Sequence, residues 1–240
     1  MPNPGGRSLD TTTISGNEGC ASFEAAKRKL EIMTIRVLLN TIVFIVSLCL
    51  VSGCVRLERS YPDKRCFLIH LSRPEKASRA LTDEALRVFT FSVSPPYEGK
   101  GFVYARGDNR VETDFYNGFV ISPGTMVTEE VRRWMAGSGL FGHVGDISAY
   151  GNPGYLLGGR VAALYGDYGD PSAPKAVLKM EFLLARDVSA GKEIVFENHY
   201  QRTISLDRGS AKQLVNGWRE ALEGILQDFE GDLRDCLQGP

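Results

Sequence analysis

Apolar and polar residues alternate along much of the chain after residue 65, and this pattern indicates β-strands with one buried face. In the run 176–186, for example, Leu178 and Met180 alternate with Lys179 and Glu181. The alternation predicts strands at 66–71, 86–93, 101–106, 110–116, 155–167, 176–186 and 193–206. The last three are long and joined by short turns, which favours an antiparallel meander with one dry face.

Two details of the strand pattern are specific enough to test. The run 86–93 places Phe89, Phe91 and Val93 at a period of two, which predicts that they share one face. The sequence Gly107-Asp108-Asn109 lies between two predicted strands and indicates a hairpin turn.

Two other stretches carry apolar residues at helical spacing. Ser122 followed by Pro123 is a helix start signal, and Gly137 and Gly139 mark the end of that helix. A second helix is predicted for 210–233. The apolar stripes are Val127, Val131, Trp134 and Met135 in the first helix, and Leu214, Trp218, Leu222, Ile225 and Phe229 in the second.

The order of these elements, four strands, a helix, three strands and a helix, predicts an α+β fold. We expect a mainly antiparallel sheet with the two amphipathic helices packed on one face. The tryptophan and phenylalanine stripes are typical of a hydrophobic core.

The N-terminal part of the chain has a different pattern. Residues 37–53 are almost entirely apolar, and basic residues precede them at Lys27, Arg28, Lys29 and Arg36. The run is somewhat short for a membrane-spanning helix, which needs about 20 apolar residues, and its length suits the core of a signal peptide.

The apolar run ends at Val51-Ser52-Gly53-Cys54, which resembles the lipobox of bacterial lipoproteins. Cleavage would fall between Gly53 and Cys54, and the Cys54 thiol would carry the lipid. Acyl chains contribute about 0.8 kcal/mol per buried methylene, so two or three chains give stable membrane attachment. The alternative is an uncleaved anchor helix that contains an incidental cysteine.

The flanking residues extend this hypothesis. Residue 55 is valine and not the aspartate that retains enterobacterial lipoproteins in the inner membrane, which by analogy favours the outer membrane. Met33 begins a compact basic segment, and we predict that it is the true start. The predicted organisation is a leader and signal peptide at 1–53, a lipidated tether at 54–65 and one domain at 66–240.

Composition excludes some classes of protein. The chain has 240 residues and a formal net charge of -1, which argues against non-specific nucleic-acid binding. The three histidines, His70, His143 and His199, have no helical metal-binding spacing, and no C-x-x-C pair is present. We expect no metal, no cofactor and no catalytic residues.

Weaker motifs do not change that expectation. Ser-x-x-Lys spacing occurs at Ser172–Lys175 and Ser189–Lys192, in predicted turns and without the other motifs that such a site needs. The sequence GDYGD at 166–170 has too few oxygen ligands for a calcium loop and suits a plain turn. Once Cys54 is lipidated, Cys66 and Cys236 remain, and they either form a disulfide or stay as free thiols.

The region after Cys54 resembles the ABC-type transport auxiliary lipoproteins, which are components of MCE-type lipid transport systems. The resemblance includes YPDKRCFLIHL at 61–71, and its most characteristic part is FSVSPPYEGKGFVYARGDNRVETDFYNGFVISPGTMVTEEVRRWMAGSGLF at 91–141. It continues through GGRVAALYGDYGDPSAPKAVLKMEFLLAR at 158–186. One departure is Phe119, because many family members have a tryptophan just before the helix proline.

The resemblance implies a non-enzymatic accessory subunit on the periplasmic face of the outer membrane. Its implied partners are a periplasmic MCE protein, a permease and an ATPase, which together move phospholipids or other hydrophobic molecules. Ring-shaped partners would make a homo-oligomer reasonable. A second hypothesis is a periplasmic lipid carrier, in which Trp134 and Trp218 line a cavity instead of filling it. A third, an envelope hydrolase, lacks a convincing set of spaced catalytic residues.

Overall fold

The structure is a computed structural model that describes residues 18–51, 63–73, 80–145, 154–188 and 191–239. The chain divides into two compact units, Met1–Ser60 and Tyr61–Pro240.

The first unit contains helix α1, Glu18–Val51. Within it, Lys27–Ser47 forms a 21-residue stretch with a mean hydropathy of 1.8 and no buried residues. At 1.5 Å per residue this stretch is about 30 Å long, which matches the hydrocarbon core of a bilayer. Thr34 and Thr41 donate their hydroxyl protons to the carbonyls four residues earlier, at 2.7 and 2.8 Å, so both hydroxyls are satisfied inside the helix. An anchor helix and a signal sequence share these properties.

The second unit combines strands and helices. Its helices are α2 (Pro123–Ser138) and α3 (Ala211–Gln238), and Pro95–Tyr97 forms a short 3₁₀ turn. Among the described residues its strands are β1 (Arg65–Phe67), β2 (Thr82–Val88), β3 (Ser92–Val93), β4 (Gly101–Ala105), β5 (Val111–Phe119), β6 (Phe141–Val144), β7 (Tyr155–Asp167), β8 (Lys175–Val188) and β9 (Gly191–Ser205). The predicted α+β class is confirmed.

The strands form one mixed sheet, so the expectation of a mainly antiparallel sheet is wrong. Strand β7 pairs with antiparallel β8 along its length, and β8 pairs with antiparallel β9. On the other side, β7 pairs in parallel with β2, β3 and β4. Beyond them, β2 pairs in parallel with β6, β4 is antiparallel to β5, and β5 pairs in parallel with β1. Parallel partners need long crossover connections, and the chain through β5 and α2 provides them between β2–β4 and β7.

One hydrophobic core joins α2 and α3 to the sheet. Trp218 of α3 is fully buried, and its ring lies 5.0 Å from the ring of Phe102 and 5.5 Å from that of Phe119. Phe229 stacks on Phe182 of β8 with ring centroids 4.1 Å apart. The prediction that the aromatic stripes form core is confirmed.

The local signals at α2 and at the β4–β5 hairpin are confirmed. Ser122 is the N-cap of α2 and accepts a hydrogen bond from the Thr125 amide, and Gly139 follows the helix with a left-handed φ of 68°. In the hairpin, Gly107, Asp108 and Asn109 all have positive φ, as this tight turn requires.

Residues 86–93 do not form one strand, which corrects the prediction of a shared face. Strand β2 ends at Val88, and the Phe91 amide then donates to the Thr128 hydroxyl of α2 at 2.8 Å, instead of to a strand partner. This contact turns the chain, so that Phe89 is 42% exposed while Phe91 is 2% exposed.

Candidate functional site

The predicted lipidation and cleavage residues, Cys54 and Gly53, lie outside the described residues. The described chain nearest to them is the end of α1 at Val51 and the start of the second unit's described part at Asp63. The proposal that Cys54 carries lipid therefore depends on the sequence pattern.

The structure does not bring Cys66 and Cys236 together. Both are exposed free thiols, and the Cys236 Sγ donates to the Val195 carbonyl at 3.3 Å. Cys66 lies in β1, which pairs with β5 at one edge of the sheet, whereas Val195 lies in β9 at another edge. A disulfide requires Cα atoms within about 7 Å, and five strand spacings of about 4.8 Å lie between β1 and β9 in the sheet. The structure thus contains no disulfide between these two residues.

A buried carboxylate, Glu130, ties α2 to the segment before β2. Glu130 is 4% exposed and accepts a hydrogen bond from the Leu71 amide at 2.9 Å and another from Arg133 at 2.8 Å. Arg133 also lies 2.7 Å from Nδ1 of His70. The same nitrogen lies 3.3 Å from Oε1 of Glu130. Because arginine can only donate and a carboxylate can only accept, Nδ1 can serve one of these two neighbours in each tautomer. His70 therefore takes part in the contacts that hold the segment before β2 against α2.

A second carboxylate, Glu230, joins three parts of the domain. It accepts two hydrogen bonds from Arg73, at 2.6 and 3.0 Å, one from Trp134 Nε1 at 2.9 Å and one from Arg234 at 3.0 Å. Burial would raise the pKa of Glu230, but the hydrogen bonds and charge of Arg73, with the bonds from Arg234 and Trp134, bring it below its usual value. The cluster clamps α2, α3 and the chain at Arg73.

Polar side chains also join α3 to β9. Tyr200 donates to Asp232 at 2.7 Å, and Asn198 donates to the same carboxylate oxygen at 3.2 Å. Burial, and then this bond to Asp232, raise the pKa of Tyr200 above its usual value, so the phenol stays protonated as a donor. Arg202 and Asp228 form an ion pair one helical turn away. These contacts fix helix to strand.

One open site among the described residues is a groove of about 650 Å³ on the face of the sheet opposite the hydrophobic core. Val103 and Ala163 form its floor, each 5% exposed, and both alternate with core residues that face the helices. Tyr97 stacks on Tyr165 at one wall with ring centroids 5.9 Å apart. We call this site the sheet groove. The hairpin residues 107–111, together with Ala105, Ala162, Asp167, Gly169 and Lys179, complete its lining.

The sheet groove continues across the meander. A neighbouring depression of about 360 Å³ shares Ala162 and Lys179 with it and extends to Glu181 and His199, which are paired across β8 and β9. The outward side chains here combine apolar, cationic and anionic groups over an open surface. Small-molecule sites are usually enclosed and mainly apolar, so this composition suits a protein partner better.

The weaker motifs have ordinary structural roles. In the turn after β7, Asp167 accepts from the Gly169 amide at 3.0 Å and Asp170 from the Ser172 amide at 2.9 Å, which are typical turn contacts. The hydroxyl of Ser172 also donates to Asp170 and lowers the pKa of that carboxyl. Ser189 lies outside the described residues. In the part of the chain that the structure describes, no group of three or more histidine, cysteine or carboxylate side chains could hold a metal ion.

The sheet groove and the buried carboxylates were not predicted, although the sequence contains signals for both. Residues 161–165 are apolar at both odd-numbered and even-numbered positions, which indicates a strand that is buried on both faces. Glu130 and Glu230 each lie within the apolar stripe of an amphipathic helix, at spacings of three or four from Val127 and Leu226. A charged residue at such a position indicates a buried ion pair, since it cannot be buried alone.

Comparison with known proteins supports the fold only. No family model matches the chain, and no curated protein matches it. Among solved structures, protein XCC0632 from Xanthomonas campestris, described by the family model DUF330, is 16% identical with a TM-score of 0.58. The match covers 74% of this chain and 94% of that one. An uncharacterised protein is also 16% identical, with a TM-score of 0.52, over 70% of this chain and 99% of that one. At this identity the likeness extends to the α+β architecture.

Proposed function

We propose that this chain is a non-enzymatic lipoprotein accessory subunit of an MCE-type ABC transport system. Cys54 anchors it to the periplasmic face of the outer membrane, and its domain contacts the periplasmic MCE protein, which works with a permease and an ATPase. The system moves phospholipids or other hydrophobic molecules across the envelope. The proposal originates in the sequence resemblance of residues 54–235 to the ABC-type transport auxiliary lipoproteins.

The observation that carries the proposal is the filled interior of the domain. A lipid carrier would need an apolar cavity of several hundred Å³ between helices and sheet. That space holds Trp218, which is fully buried against core aromatic rings, and Trp134, which donates to Glu230. The aromatic side chains therefore fill the layer that a lipid would occupy. This arrangement favours the accessory subunit over the stand-alone carrier.

The open site lies on the outside of the domain, where a protein partner can reach it. The sheet groove offers paired tyrosines, a small apolar floor and the cation Lys179. Aromatic anchors and a polar rim are typical of protein interfaces. We assign the contact with the MCE partner to this groove.

A pull-down of tagged protein from mildly solubilised membranes tests the proposal. We expect the MCE protein and its permease to be recovered with it, and Cys54→Ala to reduce that recovery. Lys179→Glu should reduce the recovery of the MCE protein while the chain stays in the membrane fraction. Lys192→Glu, an equal charge change at the exposed start of β9, is the matched control and should leave recovery unchanged.

The alternatives give different results. Recovery of the tagged protein alone with one phospholipid per chain would support the carrier. Recovery of the tagged protein without a protein partner and without lipid would refute the accessory role. Equal loss of the partner in Lys179→Glu and Lys192→Glu would refute the groove as the contact site.

A further inference from the structure

Exposed apolar side chains gather at one edge of the sheet. Phe115 is 70% exposed, the highest value for a large apolar side chain in the described part of residues 63–239. Val111, Val120 and Leu68 are 57, 51 and 52% exposed, and all four residues belong to β5, β1 or the residues directly after them. Strand β1 is the last strand on this side of the sheet. We call this surface the β1–β5 edge.

Phe115 is presented by a bulge in β5. Gly101 of β4 pairs with Gly118, and Val103 pairs with Thr113. These two pairs are two residues apart along β4 but five residues apart along β5, so β5 contains three extra residues here. The extra residues leave the ladder and project from the edge. Exposure of Phe115 thus follows from the pairing of the strands, because the ladder has no place for it.

A hydrogen-bonded carboxylate holds the bulge in shape. Asp114 accepts from the amides of Tyr116 and Asn117 at 2.7 and 2.9 Å, from Asn117 Nδ2 at 2.7 Å and from the Tyr104 hydroxyl at 2.7 Å. Burial would raise the pKa of Asp114, but these four bonds outweigh it and lower the pKa. The carboxylate is therefore charged at neutral pH and keeps all four donors, which makes the bulge a defined structure.

Cations surround this apolar edge. Lys64 Nζ lies 4.1 Å from the centroid of the Phe115 ring. Arg65, in the same segment, pairs with Asn117 at the base of the bulge and is exposed. Lys100 donates to the Val120 carbonyl at 2.9 Å. Exposed aromatic and aliphatic side chains among lysine and arginine are the combination that favours the interface of a membrane with anionic lipids.

The proposed anchor is separated from this surface by only a short stretch of sequence. Only residues 55–63 separate Cys54 from Lys64, which contacts Phe115. A fully extended chain gains at most about 3.6 Å per residue, so this connection limits Lys64 to within roughly 35 Å of the lipid anchor.

We propose that the β1–β5 edge docks on the bilayer, with Phe115 inserted at the headgroup and acyl-chain boundary and the neighbouring cations against anionic headgroups. The inference rests on the proposed membrane anchorage and adds an orientation to it. The domain would lie on the membrane surface through this edge instead of moving freely on its tether.

Depth-sensitive fluorescence tests this orientation. The full chain carrying Phe115→Trp is reconstituted in vesicles of equal parts phosphatidylglycerol and phosphatidylcholine, with and without brominated acyl chains. Bromine quenches only indoles that reach the acyl region. The native Trp134 and Trp218 are buried in the domain, so the wild-type chain supplies the background. Ile194→Trp is the matched control, because Ile194 is 60% exposed but lies on β9, away from this edge.

We expect the brominated lipid to quench the added tryptophan at position 115 and not the one at 194. Replacing phosphatidylglycerol by phosphatidylcholine should weaken the quenching at 115. Equal quenching at both positions, or none at either while the chain floats with the vesicles, would overturn the docking proposal and leave the anchorage intact. A chain that does not float with the vesicles would instead overturn the anchorage. An unquenched, blue-shifted emission that grows with protein concentration would assign the edge to a second copy of the chain and also overturn docking.

Discussion

Glu230→Gln tests whether the clamp between α2, α3 and Arg73 stabilises the domain. The substitution keeps the shape of the side chain and removes its charge. Glu230 accepts from Arg73, Arg234 and Trp134, and its side chain is 13% exposed. Glutamine retains one acceptor oxygen, and its amide group would face arginine donors that it cannot satisfy.

The magnitude follows from burial. Breaking a fully buried ion pair costs about 3–5 kcal/mol. Arg73 and Arg234 are 24 and 39% exposed, so water partly replaces the lost partner and reduces this cost. We expect the free energy of unfolding to fall by about 2–3 kcal/mol at neutral pH, which for a domain of this size is roughly 4–12 °C in Tm.

Urea unfolding of the full chain in mild detergent, followed by tryptophan fluorescence, measures this change. The chain has two tryptophans, Trp134 and Trp218, and both lie buried in the second unit, so the signal reports that unit. Asp228→Asn is the matched control on the same helix. Asp228 and its partner Arg202 are 43 and 42% exposed, and loss of such a pair costs about 0–1 kcal/mol.

The pH dependence gives a second readout. The pKa of Glu230 in the folded domain lies below its usual value of 4.5. A carboxylate with a lowered folded-state pKa stabilises the fold above its unfolded-state pKa, and that stability is lost as the pH falls through the folded-state value. The gap between wild type and Glu230→Gln should therefore be full at pH 7 and shrink below about pH 4.5. A gap no larger than that of Asp228→Asn, or one that persists unchanged in acid, would refute the clamp.

Three further predictions concern core packing and helix capping and use the same unfolding assay. Gly159→Ala should cost about 2–3 kcal/mol, because the new Cβ would lie 2.6 Å from the Glu181 carbonyl oxygen, while Gly158→Ala, with open space around it, should stay within about 0.5 kcal/mol of wild type. Trp218→Ala should cost about 3–5 kcal/mol, and a smaller cost would mean that the interior is less well filled than its burial indicates. Ser122→Ala removes the N-cap of α2 and should cost about 1 kcal/mol, whereas no change would show that the cap contributes nothing.

Local signals in the sequence predicted the elements that depend on local physics. The meander was predicted at 155–167, 176–186 and 193–206, and the structure has β7, β8 and β9 at Tyr155–Asp167, Lys175–Val188 and Gly191–Ser205. These strands are long. In β8 the even-numbered residues from 178 to 184 are buried, and in β9 the even-numbered residues from 196 to 204 are half-buried, so both strands show a period of two. The cap residues of α2 were equally informative because capping involves neighbours only a few residues apart.

The direction of the remaining pairs could not be predicted in this way. Periodicity shows which face of a strand is buried but not which strand lies beside it. Strands β1 and β3 have three and two residues, too short to show a period, and both pair in parallel. Strand β2 begins at Thr82, inside a stretch that looks like a polar connection, because its first residues lie only partly buried. Strand β6, with four residues, was missed for the same reason.

The candidate sites depend on contacts that are distant in sequence. Arg73 and Glu230 are 157 residues apart, and only the folded topology brings them together. The bulge at Phe115 arises from a register shift in the β4–β5 ladder. The sequence RVETDFY gives no sign of this shift, because its apolar and polar residues continue to alternate through the extra residues. An exposed phenylalanine at such a point is visible only once the strand partner is known.

The sheet groove and the β1–β5 edge meet at the hairpin between β4 and β5. Arg110 and Val111 line the groove, and Val111 is also part of the exposed edge. If the edge lies on the membrane, the hairpin places the end of the groove beside the bilayer, and the stacked Tyr97 and Tyr165 stand farther from it. The proposed protein partner would then meet the groove from the open side of the domain. The tether, the bulge and the hairpin would together fix the orientation of one docking surface, because a covalent connection of nine residues limits distance and not orientation.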